Sequence, residues 1–108
     1  MANTKYTYFS ATISPTTVLQ ANPNRRRLNI YSYTLPEEID ANSIWLNDAG
    51  NTAVAFQCKQ MLVGAIFEYG GSDDFVSPLM LRFQSCPTGA ISVVTSAGTH
   101  RGLIEEFS

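Results

Sequence analysis

Three consecutive arginines, Arg25 to Arg27, stand at the head of the segment NPNRRRLNIYSYTLP (22–36) and form the densest chemistry in a chain of 108 residues. Guanidinium groups grip phosphate and carboxylate in paired hydrogen bonds, and Tyr31 and Tyr33 just downstream offer rings on which bases could stack. The rest of the chain does not support a nucleic-acid partner. Seven basic residues stand against nine acidic ones, for a formal charge of -2, and lysine occurs only at positions 5 and 59. Three phosphate contacts would give a salt slope of only about -2.7 on duplex DNA, at ~0.9 per contact. Binding of nucleic acid is therefore not expected, and an acidic protein surface suits the same arginines better.

The other reactive residue types do not assemble into a catalytic set. There is no Gly-x-Ser-x-Gly turn, no glycine-rich loop ending in Lys-Ser or Lys-Thr, and no His-Glu-x-x-His. Glu37/Glu38, Asp73/Asp74 and Glu105/Glu106 are adjacent pairs, and adjacent side chains on an extended chain point to opposite sides, so the two members do not share a substrate. With His100 as the lone histidine and Cys58 and Cys86 far apart, zinc ligation is not expected. The loop GGSDD, Gly70 to Asp74, has ligand types that suit calcium, but it supplies few of the about six to eight oxygens that calcium takes. We expect no enzyme activity, no metal and no cofactor.

Composition places the chain among globular domains. Hydrophobic residues make up 44% and charged residues 15%, and the longest apolar runs fall far short of the ~20 residues that cross a bilayer. The segment MANTKYTYFS lacks the charged and apolar blocks of a secretory signal, so export is not indicated and both cysteines are expected to be reduced core residues. A single domain over 1–108 is expected, with 1–20 as an N-terminal arm or edge strand.

The elements that must position these residues are strands. Leu28 and Ile30 alternate with Arg27, Asn29, Tyr31 and Tyr33, and period-two or short apolar runs recur in SIWLN (43–47), TAVAFQC (52–58), AIFEY (65–69), LMLRF (79–83), AISVV (90–94) and GLIEEF (102–107). NDAGN predicts a tight hairpin between SIWLN and TAVAFQC. YGGSDD and CPTG predict loops, and SAGTHRG predicts a final hairpin. TLPEEI could cap a short helical turn, with Thr34 three residues before Glu37. The fold class expected is all-β, an antiparallel β-sandwich or jelly-roll-like barrel of about seven or eight short strands.

Carried back through the arginines, the alternation sends Arg25 and Arg27 outward and Arg26 toward the core. A contact surface built from Arg25, Arg27, Tyr31 and Tyr33, with Trp45 extending it, has the Arg and aromatic content of interface centres. Asp73 and Asp74 at a loop end are further candidate partner-binding residues.

These blocks, in this order, carry a resemblance. ANPNRRRLNIYSYT, SIWLNDAGNTAV and CPTGAISVVTSAGT together resemble a set of small virion proteins of tailed bacteriophages, over roughly Ala21 to Thr99. Asn22, Pro23, Arg25, Arg26, Trp45, Asn47, Gly50, Pro87, Gly89, Ala90 and Ile91 match that pattern, and YTLPEEIDAN and FEYGGSDDFVSPLMLRF depart from it. The resemblance implies a β-sandwich without catalytic positions that sits on the phage particle, made in the host cytoplasm. It would bind the major capsid protein or another virion protein as a decoration or cement component. A head-fibre, tail or vertex component that binds a host glycan through aromatic faces is the alternative. Sheet edges need covering, and lattice axes favour symmetric assemblies, so a homo-oligomer is expected, with a trimer as first choice. KYTYFSATIS, alternating Tyr6, Tyr8 and Ser10 against Thr7, Phe9 and Ala11, could add to a neighbour's sheet or pair within its own domain.

Overall fold

The computed structural model describes residues 4–33, 43–71, 75–77, 79–83 and 85–108. Among them the chain forms strands and no helix: β1 (Thr4–Ala11), β2 (Thr16–Leu19), β3 (Arg27–Tyr33), β4 (Ile44–Asn47), β5 (Lys59–Met61), β6 (Ile66–Tyr69), β7 (Phe75–Ser77), β8 (Met80–Phe83), β9 (Ile91–Thr95) and β10 (His100–Phe107). They build a six-stranded sheet in the order β1-β10-β3-β6-β8-β7 and a four-stranded sheet in the order β2-β9-β4-β5. The expected all-β sandwich is the architecture observed. All pairings are antiparallel except β6 with β8, which run parallel.

The core lies between the sheets and follows from the alternation of side chains along each strand. Phe9, Leu28, Ile30, Phe67 and Ile104 from the larger sheet meet Leu19, Ile44, Leu46, Met61, Ile91 and Val93 from the smaller one. Gly102 on β10 is where a ring needs space. Phe9 lies across it, and a Cβ there would come within 2.1 Å of Phe9 Cζ and 2.8 Å of the Tyr31 carbonyl oxygen. Gly70, at φ +90, ends β6 in the left-handed region, and a Cβ there would stand 2.3 Å from the Arg26 carbonyl oxygen.

Two connections differ from the expectation. TAVAFQC is not a strand. The chain from Asp48 to Cys58 is a long loop, and the partner of β4 is β5, with Ile44 opposite Met61, so NDAGN does not close a tight hairpin. The apolar residues of this loop serve a different surface: Ala53 and Ala55 pack with Trp45 and Val94 on the outer face of the smaller sheet, and the Ala53 N–H donates to Ser92 Oγ at 3.0 Å. Covered on both sides, β9 is buried at all five positions. SAGTHRG is not a hairpin either, because β9 and β10 belong to different sheets. The turn crosses from one layer to the other, with Thr95 Oγ1 donating to the Gly98 carbonyl at 2.8 Å. TLPEEI, with its expected helical turn, lies outside the described residues.

Candidate functional site

The outer face of the six-stranded sheet collects the exposed tyrosines Tyr6, Tyr8 and Tyr33 into rows fixed by register. Tyr8 on β1 stands opposite Leu103 on β10, Leu103 opposite Tyr31 on β3, Tyr31 opposite Ile66 on β6, and Ile66 opposite Met80 on β8. One apolar row therefore crosses five strands. On one side of it lies the polar row Tyr6, Glu105, Asn29, Glu68 and Arg82, and on the other lie Ser10, Arg101 and Tyr33. Arg27 stands opposite Phe107 at the far corner, its guanidinium 5.7 Å from the ring centroid. Tyr8 is 70% exposed and meets Tyr33 edge to face at 6.3 Å between centroids.

The electrostatics of this face are mixed and largely paired. Glu68 bridges Arg82 at 3.5 Å, and the Tyr31 hydroxyl donates to Glu105 Oε1. That hydrogen bond, followed by burial and the negative charge of Glu105, pushes the Tyr31 phenol up to about 12. An apolar centre rimmed by polar groups that hold one another is the anatomy of a protein-binding surface.

Of the residues read from the sequence, Arg27, Tyr31 and Tyr33 share this face, and Arg25 does not. Its side chain is fully buried. Arg25 Nε donates to Glu106 Oε2 at 2.7 Å, Nη1 to the carbonyls of Pro87 at 2.7 Å and Gly89 at 3.0 Å, and Nη2 to the Gln20 carbonyl at 2.7 Å. Arg26, expected on the core side, is exposed. The two are exchanged because the strand begins only at Arg27. The Arg25 N–H donates to the Asn22 carbonyl and the Asn24 N–H to Asn22 Oδ1, so these residues form a turn in which strand alternation has no meaning.

Trp45 is also elsewhere. It is 9% exposed on the outer face of the other sheet, beneath Phe56, whose ring lies 4.7 Å away between centroids. Asp73 and Asp74 lie outside the described residues, as does part of the GGSDD loop. Among the described residues no group of three or more His, Cys, Asp or Glu side chains could hold a metal ion. The sequence does not mark Tyr8, Leu103, Ile66 and Met80 as members of the face. Alternation marks each as pointing to one side of its own strand, but only pairing shows that the sides coincide.

A second polar cluster closes one end of the sandwich. Asp48 Oδ2 accepts from Lys59 Nζ at 2.5 Å and from the Tyr69 hydroxyl at 2.8 Å. Lys59 Nζ rests 4.0 Å from the centroid of Phe83, whose ring stacks on Tyr69 at 4.7 Å. A cleft of about 420 Å³ opens beside them, reaching Cys86 and Pro87. Burial first, then the Asp48 carboxylate, pushes the Tyr69 phenol far above its ordinary value, and burial also raises the Cys86 thiol. Both shifts favour the neutral forms, the opposite of nucleophile activation. The cysteines are free thiols, both half-buried. Compared with known proteins, the chain matches no family model, no curated protein and no solved structure.

Proposed function

We propose that this chain is a non-enzymatic structural component of a phage particle, binding the capsid surface as a decoration or cement protein in homo-oligomeric form. The observation that carries the binding role is the outer face of the six-stranded sheet, where Tyr8, Leu103, Tyr31, Ile66 and Met80 form an apolar row flanked by Arg101 and Tyr33, with Arg27 at the far corner of the same face. The particle as partner is supported by the sequence blocks that resemble small virion proteins. The raised phenol of Tyr69 and thiol of Cys86, both kept neutral by burial, together with the complete burial of His100, favour binding over catalysis.

Co-sedimentation with capsids that lack the protein tests this reading. Copy number on the particle should be lattice-like, and Leu103→Glu should strip most copies by placing a charge in the apolar row while the chain stays folded. Full occupancy by the variant would remove this face from the reading. Absence of binding, or only a handful of copies, would overturn decoration. The exposed edge-to-face pair Tyr8 and Tyr33 favours one second reading, a head-fibre, tail or vertex module that stacks its rings on a host glycan. A glycan array decides that case.

A further inference from the structure

Unpaired sheet edges invite pairing with another chain, and proteins blunt them with short strands, bulges, proline or charge. Among the described residues the two sheets end on four edge strands, and three of them are blunted. β5 has three residues, β7 has three and a register shift, and β2 has four and a register shift. β1 is different. It runs eight residues in unbroken register with β10, from Thr4 opposite Phe107 to Ala11 opposite His100. It contains no proline and only one charge, Lys5, and Thr4, Lys5, Tyr6, Tyr8 and Ser10 are exposed.

Which main-chain groups face the open side follows from hydrogen bonds further in. Ser32 donates its N–H to the Ala65 carbonyl and accepts from the Gly64 N–H, so Ser32 faces β6 and its neighbours Tyr31 and Tyr33 face β10. Leu103, opposite Tyr31, then faces β3, and Gly102 and Ile104 face β1. Their partners Phe9 and Thr7 therefore turn their main-chain groups to β10. Those of Thr4, Tyr6, Tyr8 and Ser10 point outward.

We infer that β1 is a homodimerisation edge, pairing antiparallel with β1 of a second copy about a two-fold axis through Thr7. An edge of this kind is self-complementary: a two-fold pairs outward-facing residues with outward-facing residues, and an isologous contact closes on itself. The axis at Thr7 engages the whole open run, setting Tyr6 opposite Tyr8, Tyr8 opposite Tyr6, and Thr4 opposite Ser10. It also sets Lys5 opposite Phe9, which keeps the two Lys5 ammonium groups apart. The two six-stranded sheets become one. Tyr6 and Tyr8 of both copies meet at the axis, so the second copy supplies two of the four rings at the centre of a joined aromatic face. The occupant is a second copy because the strand matches itself in backbone, charge and ring placement. The pairing is a property of the isolated chain and stands whether or not the particle is its partner.

Light scattering after size exclusion, over a concentration series, should give a dimer for the unmodified chain. Tyr6→Pro removes an N–H that faces the open side, so it costs no bond to β10; it should weaken dimerisation at least tenfold with an unchanged circular dichroism spectrum. Two double variants test the register. Tyr6→Lys with Tyr8→Lys sets lysine opposite lysine across the axis and should give monomer, whereas Tyr6→Lys with Tyr8→Glu sets lysine opposite glutamate and should stay dimeric. A monomeric or trimeric unmodified chain overturns the inference. So does a folded Tyr6→Pro variant that dimerises as before, or identical behaviour of the two double variants.

Discussion

At the scale of single residues, neighbours in sequence have unrelated roles. Arg25 binds four segments together from the interior, reaching the end of β2, the loop at Pro87 to Gly89, and Glu106 on β10. Its deletion would leave the nearly buried Glu106 carboxylate without its cation, a loss of about 3–5 kcal/mol. Urea unfolding of Arg25→Ala should show that loss. Arg27→Ala, at an exposed position, should stay within about 0.5 kcal/mol of the unmodified chain. Tyr31 gives a pH prediction with a definite sign. Its phenol rises from 10.0 to about 12 in the fold, so the neutral form is the one favoured. Its contribution is complete below pH 10 and is lost as pH climbs through 12. Unfolding followed between these values should be less steeply pH-dependent in Tyr31→Phe, and Glu105→Gln, which replaces the carboxylate that accepts the phenol's hydrogen bond, should move the Tyr31 titration back toward 10.

At the scale of elements, the loop between β4 and β5 shows how an apolar run can mislead. TAVAFQC has the content of a strand, but its side chains cover Trp45 and Val94 rather than joining a ladder. Phe56 in this loop sits at φ 65, the one positive-φ residue other than glycine among the described residues, and is 73% exposed while its ring lies on Trp45. A bulky residue held in that region costs of order 1–3 kcal/mol. Phe56→Gly should relieve the backbone while uncovering Trp45. Because Trp45 is the only tryptophan, its fluorescence emission should shift to the red, with a change in unfolding free energy smaller than that caused by Arg25→Ala.

At the scale of the whole molecule, the proposed binding face and the proposed dimer edge share one strand, since β1 contributes Tyr8 to the apolar row and carries outward-facing main-chain groups. A dimer would double that face and present it with two-fold symmetry to a particle. The alternation of Leu28 and Ile30 with Arg27, Asn29, Tyr31 and Tyr33 and the all-β class were determined by the sequence alone, because side-chain direction on a strand is a local property with period two. The membership of Arg27, Tyr31 and Tyr33 in one outward face was legible for the same reason. Three things waited for the tertiary structure: the burial of Arg25, the crossing of 96–99 between sheets, and the meeting of Tyr8, Leu103, Ile66 and Met80 with Tyr31. Each depends on which strands pair and where a turn interrupts alternation, and pairing is set by contacts between residues as far apart as Tyr8 and Leu103, on which a local pattern carries no information.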